Sequence, residues 1–213
     1  MTVLLADPEI TAVPVADSGE PLVPVPADTA DPFGERPLVR SGVAARLAVA
    51  QLLLPPGRRL RVVEGHRRPA DQRAIWARYE AEVAAAHPAA DAALRRRLTS
   101  RFVSPIEVAP HVAGAAVDVT LVDRLGRPLD LGTPIDATPE ASGGACFTDA
   151  PVGPAAREER RLLGEAMRGA GFVNYPTEWW HWSHGDRYWA WTVHAAAAVY
   201  GPIEAPLLAQ AAR

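Results

Sequence analysis

The chain has 213 residues, of which 48% are hydrophobic and 22% are charged, a balance typical of one folded domain with its own core. The formal net charge of −3 provides no overall positive field, so we expect no nucleic-acid partner. A single cysteine, Cys146, excludes an intrachain disulfide. We therefore expect one domain over residues 1–213, folded around a hydrophobic core alone.

The first 35 residues are rich in proline, which argues against helix and favours an extended arm over the domain, with one short edge strand at most. The N-terminus lacks the basic region and the long apolar run of a secretory signal. No stretch reaches the ~18 apolar residues that a membrane span needs. We therefore expect a cytoplasmic protein that has no membrane partner.

Hydrophobic spacing predicts four helices and two strands in the middle of the chain. The helices are expected at 41–54, 71–86, 90–102 and 155–170, and the strands at 60–64 and 115–122. Residues 129–131 are expected to return as the second strand of a hairpin. Residues 132–154 are rich in Gly, Pro, Ser and Thr, which predicts an irregular loop, and loops of this length often carry function.

The last part of the chain is aromatic. Residues 178–191 favour strands, and residues 193–200 favour a final helix or strand. Helices and strands are segregated along the chain and do not alternate regularly. We therefore predict an α+β fold with a small antiparallel sheet and helices packed on one side.

Two short motifs, far apart in the chain, carry the candidate metal ligands. His111 and Asp118 are separated by a bend at Gly114, and His181 ends a Glu-Trp-Trp-His segment. Two imidazoles and one carboxylate suit zinc and leave a position open for a water molecule, whose pKa zinc lowers. We therefore predict a zinc site of these three residues, with His184 as a competing ligand of lower rank.

The same segments offer groups for proton transfer and charge stabilisation. Glu178, three residues before His181, is the natural general base, activating the zinc-bound water. Because side chains alternate along a strand, this role requires a bend or bulge within 178–180. A guanidinium would stabilise the oxyanion that hydrolysis creates. Arg67, in the turn after the first predicted strand, is placed for this, and spacing alone does not exclude Arg68.

The combined pattern resembles the zinc D-alanyl-D-alanine dipeptidases of the VanX type, which are relatives of the D-Ala-D-Ala carboxypeptidases and, in fold, of the Hedgehog signalling domain. The resemblance covers about residues 35–195. It rests on Gly65-His66-Arg67, His111-x-x-Gly114-x-Ala116-x-Asp118 and Glu178-Trp179-Trp180-His181, with further matches at 118–121, 131–136 and 167–172.

The resemblance implies a Hedgehog-like peptidase fold and zinc-dependent hydrolysis of a small dipeptide, with D-Ala-D-Ala from cell-wall metabolism as the expected substrate. By position, it implies zinc ligands at His111, Asp118 and His181, a general base at Glu178, a transition-state arginine at Arg67 and a partner for the substrate's ammonium group at Asp136. The oligomeric state does not follow from these residues.

Two departures from the family pattern bear on the substrate. Ala109 stands where the family usually has a serine that helps to bind the dipeptide, and the arginine turn carries one extra residue, Arg68. Both changes leave room for another small dipeptide as substrate. A peptidoglycan D,D-carboxypeptidase or endopeptidase is the alternative enzyme, against which the missing export signal argues. A non-catalytic peptide-binding module on the same fold is the alternative of a different class.

Overall fold

The computed structural model describes residues 2–30 and 37–203. Residues 1 and 31–35 of the predicted arm, and residues 36 and 204–213 of the predicted domain, lie outside the described residues. The helices are α1 (Pro8–Thr11), α2 (Ser41–Leu53), α3 (Pro69–Ala86), α4 (Ala92–Thr99), α5 (Pro154–Gly169) and α6 (Arg187–Thr192). The strands are β1 (Leu22–Pro24), β2 (Leu38–Arg40), β3 (Arg58–Glu64), β4 (Ala116–Asp123), β5 (Val173–Asn174) and β6 (His181–Ser183).

The main sheet is antiparallel, with strand order β3-β4-β6-β5, and β1 pairs with β2 in a separate two-stranded ribbon. One face of the main sheet is apolar, because alternate residues of β3 and β4 are hydrophobic, and this face packs against α2 and α5. The predicted α+β fold with a small antiparallel sheet is confirmed. Side chains that are almost fully buried in this core include Leu47, Leu60, Val119, Leu121, Leu163 and Met167.

A second helical unit lies beside the opposite face of the main sheet. Helices α3 and α4 pack on each other and form a small core of their own with Val103. Residues of α3, among them Ile75 and Tyr79, line a cleft that opens on the polar face of the sheet. The sheet therefore separates the main hydrophobic core from the cleft.

Most predicted elements in the middle of the chain are confirmed. The helices α2, α3 and α5 and the strands β3 and β4 agree with their predicted ranges to within two residues at each end, whereas α4 is shorter than predicted. Residues 132–153 contain no helix or strand, as predicted for a loop. The predicted strand at 129–131 is wrong: the pairing is limited to an isolated bridge between Val122 and Pro128, and the last bond of the hairpin runs from the Leu129 N–H to the Leu121 carbonyl at 2.9 Å.

The prediction of strands over 178–191 is largely wrong. Within that range only β6 is a strand, and α6 is a helix. Helix α6 begins because the Asp186 carboxylate accepts hydrogen bonds from the N–H groups of Tyr188 and Trp189, at 3.1 and 3.2 Å. Residues 193–200 form neither a helix nor a strand, apart from an isolated bridge of Ala198 to Val15. Aromatic composition alone overstated the strand content.

The prediction of a wholly extended N-terminal arm is also wrong in part. Residues of α1 are helical because Pro8 occupies the first helical position, where no N–H donor is needed. The expected short strand is present as β1, which pairs with β2. The arm packs on the domain through Leu4, Leu5 and Ile10, which are buried. Among the described residues, no helix combines the length and the apolar character that a membrane crossing requires.

Candidate metal centre and catalytic cleft

The centre of the candidate site is a row of three residues on neighbouring strands. Asp118 on β4 lies opposite His181 on β6 and, on its other side, opposite Glu64 on β3. A register shift between Val62 and Glu64 produces the second pairing, because uninterrupted alternation would turn Glu64 toward the apolar face. The three polar side chains therefore share the face that looks away from α2 and α5.

His111 reaches this row from the turn that precedes β4. The turn needs Gly114, whose φ is +64° and where a Cβ atom would come within 2.5 Å of the Leu22 side chain. The Nδ1–H group of His111 donates to the carbonyl oxygen of Gly65 at 2.8 Å. This hydrogen bond fixes the ring and leaves Nε2 facing Asp118.

Three potential ligand atoms meet at the centre of the row. His111 Nε2 lies 3.1 Å from His181 Nδ1 and 3.4 Å from Asp118 Oδ1, and His181 Nδ1 lies 3.2 Å from the same oxygen. Ligands at ~2.0–2.1 Å from a tetrahedral zinc ion are about 3.3 Å apart, so this triangle has the size of one face of a zinc tetrahedron. All three side chains are buried. The donor set therefore fits zinc in both chemistry and size.

The neighbouring charges in the triangle shift the pKa values of Asp118 and His111 in opposite directions. Burial alone would raise the pKa of the Asp118 carboxyl, but the two neighbouring imidazoles bring that pKa below its usual value. Burial would likewise lower the pKa of His111, yet the charge of Asp118 raises it. Asp118 is therefore an anion at neutral pH, as a carboxylate ligand must be.

A turn over residues 176–180 brings Glu178 to the same face as His181. The His181 N–H donates to the Glu178 carbonyl at 3.2 Å, and Asn174 Nδ2 donates to the carbonyl oxygens of both residues, at 3.0 and 2.9 Å. Glu178 Oε2 lies 3.8 Å from His181 Nδ1. The bend that the sequence required between these two residues is therefore present.

The Glu178 carboxyl lies in an unusual electrostatic environment. Burial first, and then the negative charges of Asp118 and Asp136, raise its pKa well above the ordinary value, while Arg67 opposes the shift. A carboxyl with a raised pKa accepts a proton more readily than an exposed glutamate does. Glu178 is thus equipped to take up a proton and release it again within one reaction.

Arg67 is held rigidly at the edge of the cleft. Its Nε atom donates to Glu64 Oε1 at 2.7 Å and its Nη1 atom donates to Gln72 Oε1 at 2.8 Å. Gln72 is in turn fixed by a 2.7 Å hydrogen bond from Nε2 to the Ser104 carbonyl. Arg68 is exposed and pairs with Asp71 outside the cleft. Of the two arginines, only Arg67 faces the candidate ligands.

Asp136 enters the cleft from the irregular loop. It has a φ of +63°, a left-handed conformation that aspartate adopts more readily than most residues. Burial and the nearby charges of Asp118 and Glu64 raise its pKa, whereas Arg67 lowers it. This carboxylate is therefore poised for a cationic partner.

A cavity of about 420 Å³ unites these groups. All six residues predicted from the sequence line it: His111, Asp118, His181, Glu178, Arg67 and Asp136. Two other predicted residues do not line it. His184 donates from Nδ1 to the Gly171 carbonyl at 2.8 Å and packs on Trp189, and Ala109 is buried beside a different small cavity. Their positions give neither residue a role at the triangle.

Sequence reasoning missed two residues that shape the site. Glu64 pairs with Arg67 and also lies beside Asp118, and Tyr175 lies with its ring 6.1 Å from the His181 ring. The spacing of Glu64 three residues before Arg67 was a signal for the first. The position of Tyr175 carries no comparable local signal, because its role depends on the turn that follows it.

The chain is similar to peptidases along most of its length. A family model described as D-ala-D-ala dipeptidase, peptidase family M15, matches residues 29–198. A D-alanyl-D-alanine dipeptidase of Synechocystis sp. is 32% identical over 236 aligned residues, covering 91% of this chain and 96% of the relative. A D-alanyl-D-alanine dipeptidase of Escherichia coli K12 is 44% identical over 71 residues, covering 33% of this chain and 35% of the relative.

Among solved structures, the chain matches a variant of the vancomycin resistance D,D-pentapeptidase VanY in complex with Zn(II). The match has a TM-score of 0.37 and 17% identity, and it covers 83% of this chain and 90% of the other. The family model and the Synechocystis relative carry the assignment without it. The chain is a peptidase that belongs to the D-alanyl-D-alanine dipeptidase family, as its sequence pattern predicted.

Proposed function

We propose that this enzyme hydrolyses the peptide bond of a small free dipeptide, with D-Ala-D-Ala as the expected substrate, around a zinc ion held by His111, Asp118 and His181. The observation that carries the proposal is the triangle of ligand atoms, 3.1–3.4 Å on each side, with the Glu178 carboxylate beside it. The names of the Synechocystis and Escherichia coli relatives support the choice of substrate.

Zinc, when bound, supplies a Lewis acid that lowers the pKa of water and polarises the carbonyl of the scissile bond. The chain supplies the orientation of the ligands. The hydrogen bond from His111 Nδ1 to the Gly65 carbonyl keeps Nε2 turned inward, and strand pairing fixes Asp118 and His181 opposite each other. The site is therefore organised by the fold before any substrate arrives.

Glu178 moves the proton. Its Oε2 atom takes a proton from the attacking water and passes it to the nitrogen of the leaving amino acid, so that the carboxylate is regenerated. Burial and the negative charges of Asp118 and Asp136 raise its pKa, which makes the carboxylate a stronger proton acceptor than an exposed glutamate. Its position, 3.8 Å from His181 Nδ1, keeps it beside the triangle and outside the set of three ligands.

Arg67 and Asp136 each pair with one charge: Arg67 with the oxyanion that forms during the reaction, and Asp136 with the ammonium group of the substrate. The Arg67 guanidinium, fixed by Glu64 and Gln72, stabilises the oxyanion that develops on the scissile carbonyl. Asp136 pairs with the free ammonium group, because an unpaired cation in a largely buried cleft costs several kcal/mol. Together they select a peptide whose amino group lies one residue from the scissile bond.

Exchange of the base tests the mechanism. In Glu178→Gln we expect a normal zinc content with turnover of D-Ala-D-Ala lowered by about 10²–10⁴-fold, since proton transfer is lost while the ligands stay intact. Glu165→Gln, an exposed glutamate on α5, is the matched control and keeps full activity. Zinc content is measured by metal analysis and turnover by release of D-alanine.

The outcomes separate the alternatives. Unchanged turnover in Glu178→Gln with zinc bound contradicts the proposed base. Hydrolysis of peptidoglycan pentapeptides but not of free dipeptides by the unaltered protein favours a D,D-carboxypeptidase or endopeptidase. Binding of dipeptides without any hydrolysis favours a peptide-binding module. The cytoplasmic location and the part in cell-wall metabolism stay predictions from the sequence.

A further inference from the structure

The N-terminal segment, residues 2–12, supplies part of the cleft wall. It precedes residues 29–198, the part of the chain that matches the family model. Leu5 nevertheless lines the same cavity as His181 and Glu178, and its side chain is only 3% exposed. This wall therefore comes from outside the region that this chain shares with the family model.

Leu5 is tied to the surroundings of the triangle through Tyr175. The Leu5 N–H donates to the Tyr175 hydroxyl at 3.4 Å, and that hydroxyl donates to the Ser100 carbonyl at 2.8 Å. The Tyr175 ring lies 6.1 Å from the His181 ring. The backbone of Leu5 is thus one side chain away from a candidate zinc ligand.

The rest of the segment holds Leu5 in place. Asp7 accepts a hydrogen bond from the Leu4 N–H at 2.9 Å and forms an ion pair with Arg97 of α4 at 3.4 Å. Ile10 is fully buried, and the Arg187 side chain donates to the Thr11 carbonyl. The wall is therefore a packed part of the domain, anchored on α4 and α6.

Leu5 lines the cleft together with three other apolar side chains, Ile75, Phe102 and Val103. Such a surface suits the methyl groups of alanine residues. Because packed interiors do not readily take up extra volume, a wall of this kind limits the size of what fits beside it. The limit applies to larger side chains and to additional residues alike.

We propose that Leu5 determines substrate size, restricting the cleft to short peptides with small side chains. The inference rests on the proposed function for the identity of the reacting peptide. Leu4 offers a matched contrast, because it is the neighbouring leucine and is equally buried in the same hydrophobic cluster, but it does not line the cleft. Truncation of either leucine removes buried apolar volume from this cluster, but only Leu5 lines the cleft.

The experiment compares Leu5→Ala with Leu4→Ala in the full chain. For each protein, kcat/KM is measured with D-Ala-D-Ala, with D-Ala-D-Phe and with tri-D-alanine. In Leu5→Ala the ratios of the two larger peptides to D-Ala-D-Ala rise by about tenfold or more, the range that a few methylene groups produce in an apolar pocket. In Leu4→Ala the ratios stay at the value of the unaltered protein, even though both variants melt at a lower temperature.

Dissociation constants for the three peptides are also measured by calorimetry in a Glu178→Gln background, where binding is observed without turnover. Their ratios are compared in the same way. Equal ratios in the Leu5 and Leu4 variants overturn the role of Leu5 and leave the proposed function standing. If the size dependence of binding changes only in Leu5→Ala, the proposed role of Leu5 is supported. If the unaltered protein in that case hydrolyses none of the peptides, the proposed function is contradicted. Failure of the unaltered protein to bind any of the three peptides contradicts both.

Discussion

Two regions of the cleft are built in different ways. The triangle of His111, Asp118 and His181 rests on regular main-chain pairing, because two of the three residues lie opposite each other on adjacent strands. Asp136 lies on the irregular loop of residues 132–153, which has no strand or helix to hold it. Hydrogen bonds from side chains must therefore hold the loop in place, because no strand or helix does.

A buried arginine supplies several of the side-chain contacts that hold this loop. Arg160 on α5 is 8% exposed and donates to the carbonyl oxygens of Leu131, Phe147 and Ala145 at 2.7–2.8 Å, with a longer contact of 3.4 Å to Thr148. Two main-chain hydrogen bonds join the loop to the 176–180 turn as well. The candidate metal ligands therefore depend on strand register, whereas the loop that carries Asp136 depends on hydrogen bonds from Arg160 and from the 176–180 turn.

Removal of the central carboxylate should break the first region. In Asp118→Asn we expect zinc affinity to fall by more than about 100-fold, because loss of even the hydrogen-bonded partners of metal ligands costs about 10–100-fold. Asp123→Asn, at the exposed end of β4, is the control and keeps normal affinity. Competition with a chelating dye measures the affinity. Equal zinc binding in the two variants would exclude Asp118 as a ligand.

Removal of the Arg160 guanidinium should destabilise the loop of residues 132–153 and leave the triangle intact. In Arg160→Met we expect the free energy of unfolding to drop by about 2–5 kcal/mol, since several buried carbonyl groups lose a charged donor. Zinc binding should persist. The neighbouring Arg161→Met, which removes an exposed arginine paired with Glu158 and Glu165, should change stability little. Urea unfolding and proteolysis within 132–153 are the measurements.

If both arginine variants unfold at the same urea concentration and resist protease equally, the loop does not depend on Arg160. A loss of zinc in Arg160→Met would show instead that the two regions are coupled. The 5.5 Å stacking of Arg160 on Trp179, next to Glu178, is the contact through which such coupling would pass.

The smallest effect is expected at Asp136 itself. In Asp136→Asn the KM for D-Ala-D-Ala should rise about tenfold, about 1.4 kcal/mol, with a smaller change in kcat, because the substrate's ammonium group loses its charged partner. The preference for D-Ala-D-Ala over its N-acetyl derivative should shrink in parallel. Asp130→Asn, an aspartate just before the loop, is the control. An undiminished preference in Asp136→Asn would place the ammonium group elsewhere.

Local sequence signals were sufficient for most regular elements in the middle of the chain and for the three candidate ligands that the structure brings together. Strand β4 and helix α5 follow from hydrophobic spacing, and His111 and Asp118 flank a glycine whose positive φ the bend requires. The strand prediction over 178–191 failed because the Asp186 cap, which starts α6, outweighs aromatic composition. Short-range patterns predict an element reliably where one of its faces is buried, and less reliably where the hydrogen bonds of a helix cap decide the conformation.

The sequence by itself determined the family and the α+β class, and it predicted six of the residues that line the cleft. Only the tertiary structure decided that a register shift turns Glu64 toward Asp118, that a turn sets Glu178 beside His181, and that Leu5 from the N-terminal segment closes part of the wall. The reason is physical. The chemical type of a possible ligand follows from the residue itself. Strand register and long-range packing depend on contacts between segments that are far apart in the chain.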